Sequence, residues 1–393
     1  MAIKVLHILG NLAIGGAENL VLDMIRHGRG VGMEFYTVYM SKSPQERINQ
    51  FIDAGTGIKY IQCTKGIKGT FSFICGLRNY LKINNIHTIH CHNNINAYWA
   101  FIASRALGCK IILTVHGFNN NLNYLGDKIP KFLNFYPDRY ILNRCSFAFV
   151  SEKTKDFYCK KYKNWDSVNK APVIYNGIDA NKILSASKID ICDGNKQVFA
   201  MVGSFNSPAK RQQIIICKAI GELKKRIANA QLPFKFAFIG APNSEWKEDD
   251  LLEDGAYNAN DMYAACRLYC AKNALDNDVM FIPPRSDVPG IMRNLACYVY
   301  ASEDDTFGLS VIEAVIAGVP VICSNIPTFV EVTHNGMLAQ LVPNNAKAFA
   351  NAIYNFIVGD KFPLNLDLKT QAALKNYSIN ICLEKYNTLF YRG

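Results

Sequence analysis

The sequence of 393 residues contains no run of eighteen apolar residues, and this absence excludes a segment that crosses a bilayer as a helix. It also lacks the basic n-region and the A-x-A cleavage site of a secretory signal, because its opening residues hold one lysine before an apolar stretch. We interpret that stretch as a first strand and expect a cytoplasmic protein. Half of the residues are hydrophobic, which is typical of a globular chain long enough for two domains.

Paired cysteine motifs are missing as well. The thirteen cysteines are an odd number and stand singly in apolar segments such as IIICKAI and ACYVYAS. Cys266 and Cys270 lie four residues apart in a helical pattern with no second pair beside them, so buried packing explains them better than zinc binding. The composition therefore predicts a reduced chain that uses cysteine as a small core residue.

The net charge of +11 belongs to one half of the chain. Residues 1–175 hold 22 Lys and Arg against 10 Asp and Glu, whereas residues 176–393 hold 21 against 22. A basic half fits an anionic partner such as a membrane surface, a lipid pyrophosphate or a nucleic acid, and it equally fits a solvated face that only maintains solubility. Because this half has no helix-turn-helix, RRM or KH signature, we expect no nucleic-acid partner.

Apolar runs alternate with amphipathic helical patterns along the whole chain. Most runs are continuous, as expected of parallel strands that are covered on both faces. They lie at 3–9, 34–40, 57–62, 86–91, 109–115, 145–150 and 172–175, and then at 197–203, 234–240, 279–283, 297–301, 319–323 and 338–342. Two successive βαβ series predict an α/β chain with two doubly wound parallel sheets, which bind ligands beyond the carboxyl ends of their strands.

The segment SEDDTFGLSVIEAVIAGVPV at 302–321 follows one of these strands and opens a helix near Gly308. Free N–H groups at a helix N-terminus can receive a phosphate, and Gly308 lacks the Cβ that would block its approach. Glu313 follows about one and a half turns later, and its side chain leans back toward the same pocket, where it can accept hydrogen bonds from a ribose diol. A capping acid followed by a solvated glutamate explains the spacing too, and spacing alone leaves both interpretations open.

Two other loops after predicted strands carry phosphate-binding features. Gly15 and Gly16 in NLAIGGAENLVLDM make a tight turn that a phosphate can approach, although a glycine pair is most often only a turn. The pattern is not G-x-G-x-x-G, which argues against NAD. Lys210 and Arg211 stand in the first turn of a predicted helix, where the helix dipole disfavours cations unless an anion lies between them.

Histidines end two predicted strands, in TIHCHNNINAYWA and ILTVHGFNN. A His-x-His pair can bind a metal, but the sequence shows no Asp, Glu or Cys cluster that would complete the site, so we expect no metal. His116 is the stronger candidate for function, with a loop-capping histidine as the alternative. A D-x-D triplet at 276–278, typical of Mg²⁺-dependent transferases, precedes a strand and so lies at the wrong end of the sheet.

These segments together resemble the retaining glycosyltransferases of family 4, which have the GT-B fold. DTFGLSVIEAVIAGVPVICSN resembles the E-x7-E motif of that family, with Asp305 in place of the first glutamate. The GGAE loop, the T-x-H of His116, VIYNGID at 173–179 and the tail YSINICLEKYNTLFYR at 377–392 resemble further family segments. The similarity covers most of the chain.

The resemblance implies two Rossmann-like domains that face a central cleft. Residues 1–176, with a crossing helix at 377–393, would bind the acceptor, and residues 177–376 would bind the nucleotide-sugar donor. Catalysis would involve His116, close to the reacting face of the donor sugar, and Asp305, in contact with its hydroxyls. Since aspartate is one methylene shorter than glutamate, the second role is a departure from the family.

The resemblance also implies a donor-binding set. Glu313 would hold the ribose, and Arg285 and Ser286 would lie beside the base. The diphosphate would contact the Gly15–Gly16 loop, Lys210, Arg211 and the amides of Phe307, Gly308 and Leu309. Ser204 stands where the family commonly has an arginine on the diphosphate, and Arg211 can compensate for that change.

The function implied is a metal-independent hexosyltransferase without a cofactor. It would move a sugar from a nucleotide-diphosphate sugar, with UDP favoured, to a glycan or lipid-linked acceptor for surface polysaccharide. It would make peripheral contact with the anionic inner face of the membrane. Two alternatives remain open. One is an epimerase of the UDP-GlcNAc 2-epimerase type, against which the E-x7-E-like segment counts. The other is a catalytically weak nucleotide-sugar-binding partner subunit, which the departures at Ser204 and Asp305 allow.

Overall fold

A computed structural model describes most of the chain, and it divides into two compact units. The described ranges are 2–64, 66–118, 140–192, 196–205, 212–227, 232–242, 262–359 and 365–391. The first unit is Met1–Ile178 with Tyr377–Gly393, and the second is Asp179–Asn376. The sequence analysis placed the boundary after residue 176 and gave residues 377–393 to the first domain.

The first unit is built on a parallel sheet of six strands. They are β1 (Ile3–Leu9), β2 (Met33–Tyr39), β3 (Gly57–Tyr60), β4 (Thr88–Cys91), β5 (Lys110–Val115) and β6 (Ser146–Phe149). Their order is β3-β2-β1-β4-β5-β6, and every adjacent pair is parallel. The order reverses between β1 and β4, so an opening forms there at the carboxyl ends of the strands.

The second unit repeats this plan with six further parallel strands. They are β7 (Gln197–Val202), β8 (Phe234–Ile239), β9 (Val279–Ile282), β10 (Cys297–Tyr300), β11 (Val321–Ser324) and β12 (Gln340–Val342). The order β12-β11-β10-β7-β8-β9 is the same as in the first sheet when read from the other edge. Here the reversal falls between β7 and β10.

Helices connect the strands in both units. They are α1 (Gly16–Gly28), α2 (Gln45–Asp53), α3 (Ile67–Ile83), α4 (Asn94–Ser104), α5 (Glu152–Lys161), α6 (Asp166–Asn169), α7 (Ala180–Leu184), α8 (Gln213–Arg226), α9 (Met262–Lys272), α10 (Val288–Met292), α11 (Leu309–Ile316), α12 (Pro327–Val332), α13 (Ala346–Val358), α14 (Leu366–Tyr377) and α15 (Ile379–Tyr391). None of the helices within the described ranges is long and apolar enough to span a bilayer.

The two faces of the first sheet bury separate cores, because successive side chains of a strand point to opposite faces. Leu6 and Ile8 of β1 pack in the core that includes residues of α3 and α4. Val5 and Leu9 belong to the opposite core, to which α1 and α15 contribute. The C-terminal helix α15 is therefore an integral part of the first unit, and its Tyr386 hydroxyl lies 2.7 Å from Thr114 Oγ1 on β5.

The predicted fold class of two doubly wound parallel sheets is confirmed. The predicted strand at 172–175 is wrong, because this segment makes one isolated bridge, between Val173 and Phe149. Pro172 has no N–H to donate to a ladder. The bridge consists of two hydrogen bonds, from Phe149 N–H to the Pro172 carbonyl at 3.1 Å and from Ile174 N–H to the Phe149 carbonyl at 2.8 Å.

Truncation of a buried side chain of α15 tests whether this helix is part of the core of the first unit. Leu383 is completely buried in the core that contains α1, so Leu383→Ala should lower the free energy of unfolding by about 2–5 kcal/mol. The measurement is urea denaturation followed by tryptophan fluorescence, to which Trp99 and Trp165 of this unit contribute. Glu384→Ala, at the exposed next position, is the matched control and should change little. Equal stability of the two variants would contradict this packing.

Candidate functional site

A loop at residues 301–308 lies at the carboxyl end of β10, beside the strand-order reversal of the second sheet. Ser302 is fully buried and Thr306 and Phe307 are nearly so, whereas Asp305 is half-buried. The loop is thus a packed structure, and it leads directly into α11, which begins at Leu309.

The Asp305 carboxylate organises this loop from within. Its Oδ1 accepts backbone hydrogen bonds from Thr306 N–H at 2.7 Å and from Phe307 N–H at 3.2 Å. Its Oδ2 accepts a side-chain hydrogen bond from the Tyr300 hydroxyl at 3.2 Å. Both carboxylate oxygens therefore have partners inside the loop and its strand.

Neighbouring elements fix the loop from outside. Thr328 Oγ1 of α12 donates to the Asp305 carbonyl at 2.5 Å, and Ser302 N–H donates to Ser324 Oγ of β11 at 2.9 Å. The Ser324 hydroxyl donates to Asn344 Oδ1, and the Asn344 amide donates to Gln212 Oε1 at 2.6 Å. These polar groups tie the loop to the carboxyl ends of β11 and β12 and to the residue that precedes α8.

Gly308 must be glycine for two independent reasons. Its φ is +79°, in the left-handed region, and a Cβ placed on it would come within 2.5 Å of Phe329 Cε1. Phe329 is fully buried, so its ring has no space to move away. Gly308 is the N-cap of α11 in this left-handed conformation. Glu313 lies half-buried about one turn further along the helix.

The other predicted donor residues of the second unit lie in loops after strands, with different surroundings. Ser204 follows β7, and its carbonyl accepts a hydrogen bond from Gln213 Nε2 at 3.2 Å. Arg285 and Ser286 are exposed after β9, at the edge of the sheet. Arg285 pairs with Asp287 at 2.6 Å, and this pairing lowers the pKa of the Asp287 carboxyl. Lys210 and Arg211 lie outside the described residues.

In the first unit, the Gly15–Gly16 loop connects β1 to α1, and an arginine that the sequence analysis missed supports it. The nearly buried Arg47 of α2 donates to the Leu12 carbonyl at 3.0 Å and to Asn19 Oδ1 at 2.9 Å. Desolvation raises the pKa of the Glu18 carboxyl in the first turn of α1, and the nearby Arg47 acts against that rise. Arg47 carries no motif, so only the fold brings it to this loop.

Four histidines meet at the carboxyl edge of the first sheet, beside its strand-order reversal. His7 Nδ1 lies 3.0 Å from His92 Nε2, and His92 Nδ1 lies 3.1 Å from His116 Nε2. His90 Nε2 lies 2.7 Å from Thr114 Oγ1. The sequence analysis identified His116 and noted the His-x-His pair. It missed His7, which stands in no motif and comes to lie opposite His90 through the register of β1 and β4.

Three of these histidines also form the candidate metal site. Ligand atoms of His7, His90 and His92 lie within 4.8 Å of one another. Burial lowers the pKa of His7 to about 3 and lowers the pKa of His90 and His92 well below the usual value, so all three imidazoles are neutral and chemically able to bind a transition metal. In the described part of the chain no carboxylate or thiolate joins this group to balance a dication. That no metal binds stays a prediction.

Two family models match the chain along most of its length. The description "Glycosyltransferase Family 4" matches residues 14–182, and "Glycosyl transferases group 1" matches residues 196–358. The chain belongs to the GT-B glycosyltransferases. Among curated relatives, the O-antigen chain mannosyltransferase B of Escherichia coli is 31% identical over 100 residues, which are 25% of this chain and 26% of that relative.

Solved structures confirm the GT-B fold of this glycosyltransferase. A glycosyltransferase from Rickettsia africae ESF-5 has a TM-score of 0.77 at 18% identity, and the match covers 99% of this chain and 98% of the other. HepE of Anabaena, solved in complex with UDP and glucose, has a TM-score of 0.76 at 17% identity, with 99% and 100% covered. At these identities the similarity establishes the fold alone.

The role of Asp305 inside its own loop can be tested without substrate. Asp305→Ala removes all the acceptors of the loop carboxylate, so we expect faster amide hydrogen exchange at Thr306 and Phe307 and a loss of about 1–3 kcal/mol in the free energy of unfolding. Asp305→Asn keeps a carbonyl oxygen at this position and should retain most of the protection. Unchanged exchange in Asp305→Ala would show that the loop does not depend on this carboxylate.

Proposed function

We propose that this enzyme is a retaining glycosyltransferase. Its donor is a nucleotide-diphosphate sugar, with a UDP-sugar favoured, and its acceptor is a glycan or lipid-linked sugar in surface polysaccharide biosynthesis. The observation that carries the proposal is the preformed loop at 301–308, held by buried polar groups where the second sheet reverses its strand order. The relatives support it, since HepE was solved with UDP and glucose and the E. coli relative is an O-antigen mannosyltransferase.

The donor diphosphate is proposed to bind at the N-terminus of α11. The amides of Gly308 and Leu309 stand at this helix end, where the backbone dipole favours an anion. Phe307 N–H already donates to Asp305, so its use by a phosphate requires that hydrogen bond to open. Lys210, Arg211 and the Gly15–Gly16 loop are proposed to stabilise the charge on the leaving diphosphate, which removes the need for a metal.

The remaining roles follow from the same donor pose. Glu313 accepts hydrogen bonds from the ribose hydroxyls, and Arg285 and Ser286 lie beside the base. Retention is proposed to proceed with the leaving phosphate taking the acceptor proton on the same face of the sugar. His116 and Asp305 are proposed to orient the sugar while positive charge develops at its anomeric carbon.

The alternatives are weaker. Both family models are of glycosyltransferases and they match both halves, which disfavours an epimerase. A catalytically weak nucleotide-sugar-binding partner subunit keeps one specific observation in its favour. Both oxygens of the Asp305 carboxylate are engaged within the protein, and this differs from a carboxylate held ready for a sugar hydroxyl.

Donor binding is the first property to measure. We expect one nucleotide sugar among UDP-, GDP-, ADP- and dTDP-sugars to raise the melting temperature, because a ligand at a hundred times its Kd stabilises the folded state by about 2.7 kcal/mol. The shift should persist in EDTA and disappear in Glu313→Ala. Glu222→Ala, at an exposed position on α8 of the same unit, is the control and should keep the shift.

Either outcome of this measurement is informative. A shift with one nucleotide sugar identifies the base and supports the donor site. Transfer to an acceptor, followed with the same sugar, then separates the transferase from a partner subunit, which would bind without turnover. No shift with any of the four donors would contradict the proposed donor site.

We further propose that the enzyme is cytoplasmic and makes peripheral contact with the anionic inner face of the membrane. The first half of the chain carries the whole basic excess. Its helix α3 begins with Ile67 at 89% exposure and Phe71 at 67%, one turn apart, with the exposed Lys68 between them. Apolar side chains beside a cation are suited to the interface of an anionic bilayer.

Flotation with vesicles tests this contact. The double variant Ile67→Ser/Phe71→Ser should bind several-fold less to vesicles that contain phosphatidylglycerol, and Lys68→Gln should weaken binding mainly at low salt. Leu368→Ser removes an apolar side chain whose exposure is similar to that of Phe71 from α14 of the second unit, and it serves as the control. If the double variant and the control bind vesicles equally well, α3 is not the membrane contact.

A further inference from the structure

Four histidine side chains lie on one face of the first sheet, although three strands supply them. His7 on β1 and His90 on β4 are register partners, so their side chains project from the same face. His92 follows β4 with the same alternation, and His116 follows β5 two residues after Thr114. His7 and His90 are completely buried and His92 is nearly so, whereas His116 is half-buried at the outer end.

Three of the four rings form a hydrogen-bonded chain. It runs from His7 Nδ1 to His92 Nε2 at 3.0 Å and from His92 Nδ1 to His116 Nε2 at 3.1 Å. A neutral imidazole carries one N–H and one lone pair, so the direction of one hydrogen bond fixes the direction of the other. His90 stands beside this chain and bonds instead to Thr114, which contacts Tyr386.

The buried end of the chain selects its direction. His7 Nε2 has no hydrogen-bond partner among the described residues, and its ring packs 5.0 Å from the Phe35 ring. His7 Nε2 carries either an N–H or a lone pair. The N–H is the less favourable of the two here, since buried donors without partners are rarer than buried acceptors without partners. His7 therefore carries its hydrogen on Nδ1 and donates to His92 Nε2, and His92 then donates from Nδ1 to His116 Nε2.

We infer that His7 and His92 are positioning residues that hold His116 as the neutral tautomer with its hydrogen on Nδ1. Protonation of His116 would place a second hydrogen on Nε2, and this hydrogen would oppose the Nδ1–H of His92. To accept it, both buried rings would have to exchange their hydrogens, and a bare N–H would remain at His7 Nε2.

The consequence for the reaction rests on the proposed function. An imidazolium next to an anomeric carbon that gains positive charge would raise the energy of the transition state. A neutral His116 that offers an N–H can hold a sugar oxygen without adding that charge. The chain of histidines thus defines on which ring nitrogen His116 carries its hydrogen.

The tautomer can be read directly from the wild-type protein. In protein labelled with ¹⁵N-histidine, long-range ¹H–¹⁵N correlation spectra at neutral pH should show His116 with a protonated Nδ1 and an unprotonated Nε2. His116→Gln assigns the signal, and His87→Leu, at an exposed histidine, should leave it unchanged. A His116 ring protonated on Nε2, alone or together with Nδ1, would overturn the inference.

Two substitutions of His92 separate positioning from packing. His92→Asn keeps an amide donor near the position of Nδ1 and should preserve the His116 tautomer, whereas His92→Leu removes the donor and should abolish it. In transfer assays kcat should fall roughly tenfold in His92→Leu, recover in large part in His92→Asn, and leave the donor KM unchanged. A His116 signal that is the same in both variants would contradict the role of His92.

Zn²⁺ provides the last comparison. Addition of Zn²⁺ alone to protein stripped with EDTA should leave the three ring signals of the chain in place. Stoichiometric uptake with loss of those signals would overturn the inference, because a metal would occupy the lone pairs that the hydrogen bonds need. The spectra require no donor, so a correct tautomer without donor binding would count against the proposed function alone.

Discussion

Parallel strands place all their carboxyl ends at one edge of the sheet, and this constraint determines where both candidate sites lie. In each unit the strand order reverses beside the first strand, between β1 and β4 or between β7 and β10. The histidine chain lies at the first reversal, and the loop of Asp305 lies at the second. The arrangement of the strands alone therefore brings together site residues that are far apart in sequence.

The continuous apolar runs in the sequence were sufficient to predict the two parallel sheets. The need for glycine at position 308 was predicted in part. The sequence suggested that Gly308 leaves room for a phosphate, whereas the structure adds a left-handed conformation and the buried Phe329 ring, which no motif indicates. The strand expected at 172–175 is limited to one bridge with Phe149, in which Pro172 takes part only through its carbonyl. Local pattern predicts elements well, but pairing partners are a property of the fold.

The side chains that support the sites were the least predictable part. Arg47 reaches the Gly15–Gly16 loop from α2, and His7 reaches His92 from β1 across 85 positions of sequence. Neither residue stands in a motif, and each becomes visible only when strand register and helix packing are known. Asp305 shows the same limit, since no motif indicates the hydrogen bonds that its carboxylate accepts from Tyr300, Thr306 and Phe307.

The packing of α15 against the first sheet has a consequence for synthesis on the ribosome. The second unit is inserted within the first, because Asp179–Asn376 separates β6 from the helix that completes the core of β1 and β5. Until Leu383 and Tyr386 have been translated, the core that α1 forms on one face of the first sheet lacks the side chains of α15. The second unit can thus fold while the first still exposes the apolar surface that α15 covers, so the core of the first unit is completed only when the C-terminal helix has been made.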